Sequence, residues 1–188
     1  MPENLIIAVV GLPGSGKTEC AKYIETKKNF IKVYFGDSTF EELKKRELQV
    51  NETNERMVRE NLRQKHGMGA YAILNIPKID KGLKENNVVV ESLYSWHEYK
   101  ILKDKYKDKF KVIAVYSSPH DRYLRLSQRL DRKLTLEEAV RRDISEIENL
   151  AVAGPITMAD YTILNDKSLD NLFQKTEKII SQLSAKCL

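Results

Sequence analysis

The stretch "IIAVVGLPGSGKTECAKYI", Ile6 to Ile24, constrains this chain more than any other. An apolar, β-branched run stops at Gly11, and an amphipathic helical pattern starts at Lys17. Between them lies "GLPGSGKT", which fits the spacing G-x-x-x-x-G-K-[ST]. Gly11, Gly14 and Gly16, with Pro13 and Ser15 between them, allow backbone N–H groups to curl around an anion, where bulkier side chains would obstruct the approach. A helix opening near Gly16 turns its unpaired N–H groups and positive dipole end toward the same anion. Lys17 adds a full charge directed at the β and γ phosphates, and the Thr18 hydroxyl can hold Mg²⁺. Glu19 follows in the first helical turn. The loop is therefore expected to bind a nucleoside triphosphate, ATP or GTP, with Mg²⁺.

Elsewhere the chain alternates short apolar runs with longer helical patterns. Strands are expected at Leu5–Val10, Ile31–Phe35, Val88–Val90, Val112–Tyr116 and Tyr161–Leu164. Helices are expected at Lys17–Thr26, Glu41–Glu47, Asn54–Leu74, Tyr94–Tyr106, Pro119–Leu130, Leu136–Leu150 and Leu169–Leu183. This alternation predicts an α/β fold with a mostly parallel sheet covered on both faces. Ser118–Pro119 reads as an N-cap followed by proline at the first helical position. Thr135 to Glu138 has the spacing of a capping box. Pro77 is expected to end or kink the long helix before it.

At 188 residues the chain suits a single domain. Lys and Arg outnumber Asp and Glu by 32 to 27, but the two signs are interspersed, as in "EELKKRE". That pattern fits small anionic molecules better than the extended basic groove a polynucleotide needs, so a nucleic-acid partner is not expected. Cys20 and Cys187 lie far apart in no metal-ligand spacing, which points to a reducing compartment. The N-terminal apolar run is too short for a signal or membrane-spanning segment, and a cytoplasmic protein without a membrane partner is expected. Nothing in the sequence specifies an oligomeric state.

Three further places carry candidate chemistry. Asp37, after Gly36, sits at the carboxyl end of the second strand, where open α/β sheets gather ligands. It also reads as a cap for the helix starting near Ser38. Glu91 ends the third strand and can stand beside the Mg²⁺ shell or cap the following helix. Arg122, Arg125, Arg129 and Arg132 are spaced 3, 4 and 3 apart, the signature of one helix face, with Arg142 beyond a short turn. Arginines flanking a mobile turn would form a lid able to neutralise charge during phosphoryl transfer. Arg129, Arg132 and Arg142 are the lid candidates. Arg122 and Arg125 fit that role or a solvent-facing basic stripe.

Taken together, "VVGLPGSGK", Gly36–Asp37, "SSPHDRYLRL", Arg142–Asp143 and "ADYTILNDKSLDNL" resemble the nucleoside monophosphate kinase superfamily. Within it the chain is most similar to the adenylate-kinase-related and dephospho-CoA-kinase-related group. The resemblance implies a three-layer α/β/α fold with a five-stranded parallel sheet, a helical acceptor-binding insert at about 38–84 and a short lid at about 129–142, centred on Asp131–Thr135. It implies transfer of the γ-phosphate of Mg-ATP to a nucleotide or nucleotide-like small molecule. Lys17, Arg129, Arg132 and Arg142 would be catalytic, and Asn165 would approach the donor base. The chain departs from the pattern on the acceptor side. Phe40 and Tyr94 stand where arginines that grip an acceptor phosphate are expected. Arg59 and Arg63, on one face of the insert, are candidate replacements, and Phe40 and Tyr94 suit stacking against a ligand. A nucleotide-binding regulatory module with little turnover and a dephospho-CoA-type kinase are the alternative readings.

Overall fold

The computed structural model describes residues 4–130 and 132–185. Asp131, at one end of the expected lid, and Cys187 lie outside the described residues. Five strands, β1 (Ile6–Val10), β2 (Ile31–Tyr34), β3 (Val88–Glu91), β4 (Phe110–Tyr116) and β5 (Tyr161–Leu164), form one parallel sheet in the order β2-β3-β1-β4-β5. Because β1 has a neighbour on each side, all five of its residues are buried. Its side chains alternate between two cores. Ile6, Ala8 and Val10 join Val33, Val90, Val112 and Ala114 on one face, while Ile7 and Val9 join Val89, Ile113 and Ile163 on the other.

The second face is covered by α1 (Lys17–Lys28) and α9 (Leu169–Ala185), through Cys20, Ala21, Ile24, Leu172 and Ile180. The first face carries α2 (Asp37–Lys45), α3 (Glu52–His66) and α4 (Ala70–Gly82), all between β2 and β3, with α5 (Trp96–Tyr106) beyond β3. After β4 come α6 (Pro119–Ser127), α7 (Leu136–Leu150) and the short α8 (Ala153–Thr157). Among the described residues no helix is long and apolar enough to cross a membrane.

The strands fall where the apolar runs placed them, but several helix boundaries differ. The continuous pattern at Asn54–Leu74 is two helices, because Gly67 takes φ +75 at the end of α3 and Gly69 precedes α4. A hydrophobic period alone does not register such a break. Pro77 neither ends α4 nor follows a long helix, but lies inside it. The buried side chains of Tyr71, Asn75 and Ile79 hold this helix across the lost N–H. Helix α2 begins at Asp37, ahead of the periodic run at Glu41 and next to the start read near Ser38, with Gly36 rather than Asp37 at the cap position, and α6 stops at Ser127 rather than Leu130. The expected caps of α6 and α7 are present: Ser118 accepts from the Asp121 N–H, and Thr135 and Glu138 form the capping box.

A second capping box, Ser95 with Glu98, opens α5 and has a pH signature. Glu98 is 1% exposed and accepts from the backbone N–H groups of Tyr94 and Ser95, both at 3.0 Å. Burial pushes its carboxyl up from 4.5 to about 7, against the pull of those two hydrogen bonds and of Arg63. The folded state therefore holds this proton more tightly than the unfolded chain does. Its contribution is fully present below about pH 4.5 and is lost as pH rises through about 7. Glu98→Gln keeps the accepting oxygen and removes the titration. Urea unfolding between pH 5 and 8 should show a shallower fall of stability with pH in this variant, by up to about 1.4 kcal/mol per pH unit. Identical slopes in the two proteins would refute the assignment.

Candidate functional site

The phosphate loop leaves β1 at Gly11 and enters α1 at Lys17, at the carboxyl edge of the sheet where the strand order places β1 between β3 and β4. Gly14 and Gly16 adopt φ +81 and +97. A Cβ at Gly14 would lie 2.6 Å from the Arg122 carbonyl oxygen, and one at Gly16 would lie 2.4 Å from Asn165 Nδ2. Both positions therefore require glycine twice over, for conformation and for space. Helix α1 opens on Gly16 with no side-chain cap, in contrast to α5, α6 and α7. Its first N–H groups thus face the loop available to an anion, at the positive end of the helix dipole.

The loop is held from behind by groups distant in sequence. Arg122 is 3% exposed and pairs with Asp143 through two hydrogen bonds of 2.9 and 2.6 Å. It also donates to the carbonyls of Pro13 at 3.1 Å and Ser117 at 3.3 Å. Arg125 donates to the Gly14 carbonyl at 3.3 Å, to Ser117 Oγ at 2.8 Å and to the Asn165 carbonyl at 2.9 Å. Asn165 donates from its side-chain amide to the Ser15 carbonyl at 2.8 Å. Three successive loop carbonyls are thus occupied on the side facing α6 and β5.

In front of the loop lies a cavity of about 470 Å³. From the loop and α1 it is lined by Pro13, Lys17 and Thr18. From the ends of β2 and β3 come Lys32, Tyr34, Asp37, Glu91, Ser92 and Tyr94, and Arg129 and Arg142 complete it from the α6–α7 side. The sheet register explains the neighbourhood: Glu91 is level with Val9 of β1 and with Tyr34 of β2. Lys17 Nζ sits 5.5 Å from the centre of the Tyr94 ring and 3.5 Å from the Leu12 carbonyl oxygen. Lys32 pairs with Glu25 at 2.9 Å and lies 4.0 Å from Glu91. Arg142 pairs with Glu146 at 3.1 Å. Burial, the Tyr94 phenol and Glu91 hold the Tyr34 hydroxyl above its ordinary pKa.

Of the residues expected from sequence, Pro13, Lys17, Thr18, Asp37, Glu91, Tyr94, Arg129 and Arg142 line one cavity. Others are placed differently. Helix α6 ends before Arg129 and Arg132, so the 3-4-3 spacing does not continue as one helix face; Arg132, at φ +52, reaches Glu55 at 3.5 Å. Arg122 and Arg125 form neither a solvent stripe nor part of the cavity wall on the α6 side, but hold the loop. Asn165 spends its amide on Ser15 rather than turning it outward to a base. Arg59 is tied to Glu52 at 2.8 Å and Glu55 at 3.4 Å, and Arg63 lies 5.5 Å from the centre of the Tyr71 ring. Phe40 packs against the core, and Glu19 is an exposed residue of α1. Sequence reasoning missed Tyr34, Lys32 and Ser92. Tyr34 was within reach of the rule that ligands gather at strand ends. Ser92, at φ +69, carries no sequence signal for that conformation.

The donor set suits a magnesium ion, which takes one or two carboxylates together with hydroxyl and phosphate oxygens. Thr18 and Glu91 offer a hydroxyl and a carboxylate of that set, and among the described residues no group of three or more His, Cys, Asp or Glu forms a denser metal cage.

Comparison with known proteins bears on the whole chain. Residues 7–147 match the family described as an AAA domain. A UPF0200 protein of Pyrococcus furiosus is 38% identical over 183 residues, covering 95% of this chain and 97% of its own. A UPF0200 protein of Sulfurisphaera tokodaii is 34% identical over 180 residues, covering 95% and 97%. Among solved structures, shikimate kinase from Bacteroides thetaiotaomicron superposes with a TM-score of 0.61 at 15% identity, over 94% of this chain and 98% of that one. A gluconokinase from Sinorhizobium meliloti superposes at 0.55 with 11% identity, over 98% and 97%. At those identities the likeness is one of fold: a five-stranded parallel sheet with helices on both sides, the P-loop kinase fold.

Proposed function

We propose a function from one premise: the chain belongs to the UPF0200 family and, over residues 7–147, to the family described as an AAA domain. It is an ATP-dependent phosphotransferase that moves the γ-phosphate of Mg-ATP to a nucleotide-like small molecule. One observation carries this reading: the uncapped start of α1, Lys17, Thr18 and two carboxylates from neighbouring strand ends share a single cavity with Arg129 and Arg142. Phosphoryl transfer asks a protein chiefly for positioning and for charge placed where charge develops. The loop N–H groups and Lys17 would hold the β and γ phosphates. Thr18 and Glu91 would hold Mg²⁺, whose positive charge screens the phosphate oxygens from the incoming nucleophile. Arg129 and Arg142, both exposed and on the far side of the cavity, would close over the transferring group.

Calorimetry with Mg²⁺ and a non-hydrolysable ATP analogue tests the donor half, and ADP release that depends on an added acceptor tests the other. Micromolar binding and acceptor-dependent turnover are the expected results. Absence of affinity for any purine triphosphate would overturn the proposal.

A further inference from the structure

Lys17 and Lys32 both line the cavity, but their charges rest in different ways. Lys32 takes carboxylates, at 2.9 Å from Glu25 and 4.0 Å from Glu91. Lys17 shares the cavity with Asp37 and Glu91, on a flexible stem that ends in a compact charge. Among the described residues it nevertheless has no carboxylate partner. Its ammonium lies 5.5 Å from the centre of the Tyr94 ring and 3.5 Å from the Leu12 carbonyl oxygen. That distance is within the reach of about 6 Å over which the negative face of an aromatic ring attracts a cation. The attraction strengthens where water is partly excluded, and Lys17 is 9% exposed.

The ring is itself held at both ends. The Tyr94 backbone N–H donates to the buried Glu98 carboxylate at 3.0 Å, which ties the turn after β3 to the start of α5. The phenol oxygen accepts from Ser92 Oγ at 3.5 Å, and Ser92 is held at φ +69, a conformation that non-glycine residues rarely adopt. Leu93, between them, is anchored in the core. The side chain at position 94 therefore has little freedom, and a cation resting on its face shares that order. Tyr94 suits stacking against an acceptor when read from sequence, but the lysine of the phosphate loop already lies over its ring.

We infer that Tyr94 is a positioning residue for Lys17: its ring holds the ammonium beside the phosphate loop and keeps it from pairing with Asp37 or Glu91 before nucleotide enters. This rests on the phosphotransferase reading above. A mobile lysine loses rotamer freedom when a phosphate orders it, and a lysine paired with a carboxylate must first give up that partner. A lysine already ordered on an aromatic face does neither, so its charge is in place for the incoming phosphates.

The test is calorimetry of the full-length chain with Mg²⁺ and adenylyl imidodiphosphate, a non-hydrolysable ATP analogue, in Tyr94→Phe, Tyr94→Leu, Lys17→Ala and the double variant Lys17→Ala with Tyr94→Leu. Tyr94→Leu should raise Kd about fivefold, while Tyr94→Phe, which keeps the ring, should stay within about twofold of the parent protein. In the Lys17→Ala background Tyr94→Leu should add almost nothing, because the cation it serves is gone. A trifluorinated phenylalanine at position 94 should bind more weakly than Tyr94→Phe, since fluorine withdraws charge from the ring face without changing its shape. That pair keeps the test decisive should Tyr94→Leu fail to fold. In the free protein the ε-CH₂ protons of Lys17, identified by their loss in Lys17→Ala, should resonate upfield of the other lysines in the parent and in Tyr94→Phe. An unshifted Lys17 signal, a parent-like Kd in Tyr94→Leu, equal affinity of the two phenylalanines, or the same loss with and without Lys17 overturns the inference and leaves the phosphotransferase reading intact. A parent protein with no affinity for the analogue removes that reading, and this inference with it.

Discussion

Replacing Lys17 by alanine should lower phosphoryl transfer roughly a thousandfold, measured as ADP release at saturating Mg-ATP. Lys17 is 9% exposed, at the first position of α1, and its ammonium reaches the cavity between the Leu12 carbonyl and the Tyr94 ring. A cation placed there interacts with phosphate oxygens in a partly dehydrated site, where charge is worth far more than in water. Negative charge builds on the β–γ bridging oxygen as the reaction proceeds, so the loss should fall on kcat more than on ATP affinity. Lys17→Arg keeps the charge but substitutes a wide planar fork for a compact ammonium, and should recover little activity. A melting curve close to that of the parent protein is expected for Lys17→Ala, because the side chain makes one long hydrogen bond and one ring contact. An unchanged kcat would contradict the role assigned to Lys17.

The second large effect is on stability. Asp143→Ala leaves the Arg122 guanidinium buried without its carboxylate, and removing one partner of a buried pair costs about 3–5 kcal/mol. For a domain of this size that corresponds to a fall in melting temperature of about 10 °C. Tyr123 loses a partner as well, since its hydroxyl donates to Asp143 at 2.9 Å. The damage should also reach the site. Arg122 holds the Pro13 carbonyl, and Asp143 adjoins Arg142, so one buried pair joins the phosphate loop to the helix that carries a cavity arginine. Mg-ATP affinity, measured below the transition, should weaken along with stability. Substituting both residues with apolar ones, Arg122→Met with Asp143→Leu, should restore part of the stability but not the ATP affinity, because the loop carbonyl stays without its donor. Thermal denaturation and calorimetry on the three variants check this. Equal stability of Asp143→Ala and the parent protein would show the pair to be dispensable.

The parts of this protein that were legible in advance are those whose physics is local. A loop of this pattern has its glycines, lysine and threonine within eight consecutive residues, so the glycine-built turn into α1 is legible in "GLPGSGKT" without reference to the rest of the chain. Strand ends are similarly visible: Asp37 and Glu91 follow apolar runs, and parallel strands bring their carboxyl ends to one edge. The helix cap at Ser118 and the capping box at Thr135 are also short-range chemistry. The break at Gly67–Gly69 was missed because the hydrophobic period carries on through it.

What the sequence by itself determined is the glycine loop, the parallel sheet and the edge at which the candidate residues gather. Only the tertiary structure decided which cations serve the cavity and which serve the protein. Asn165 meets Ser15 across 150 positions and Arg122 meets Asp143 across 21. An arginine in a sequence is the same charged fork whether it awaits a phosphate or grips a carbonyl. Its role is set by the partner that folding brings within about 3 Å, where a charge-assisted hydrogen bond forms.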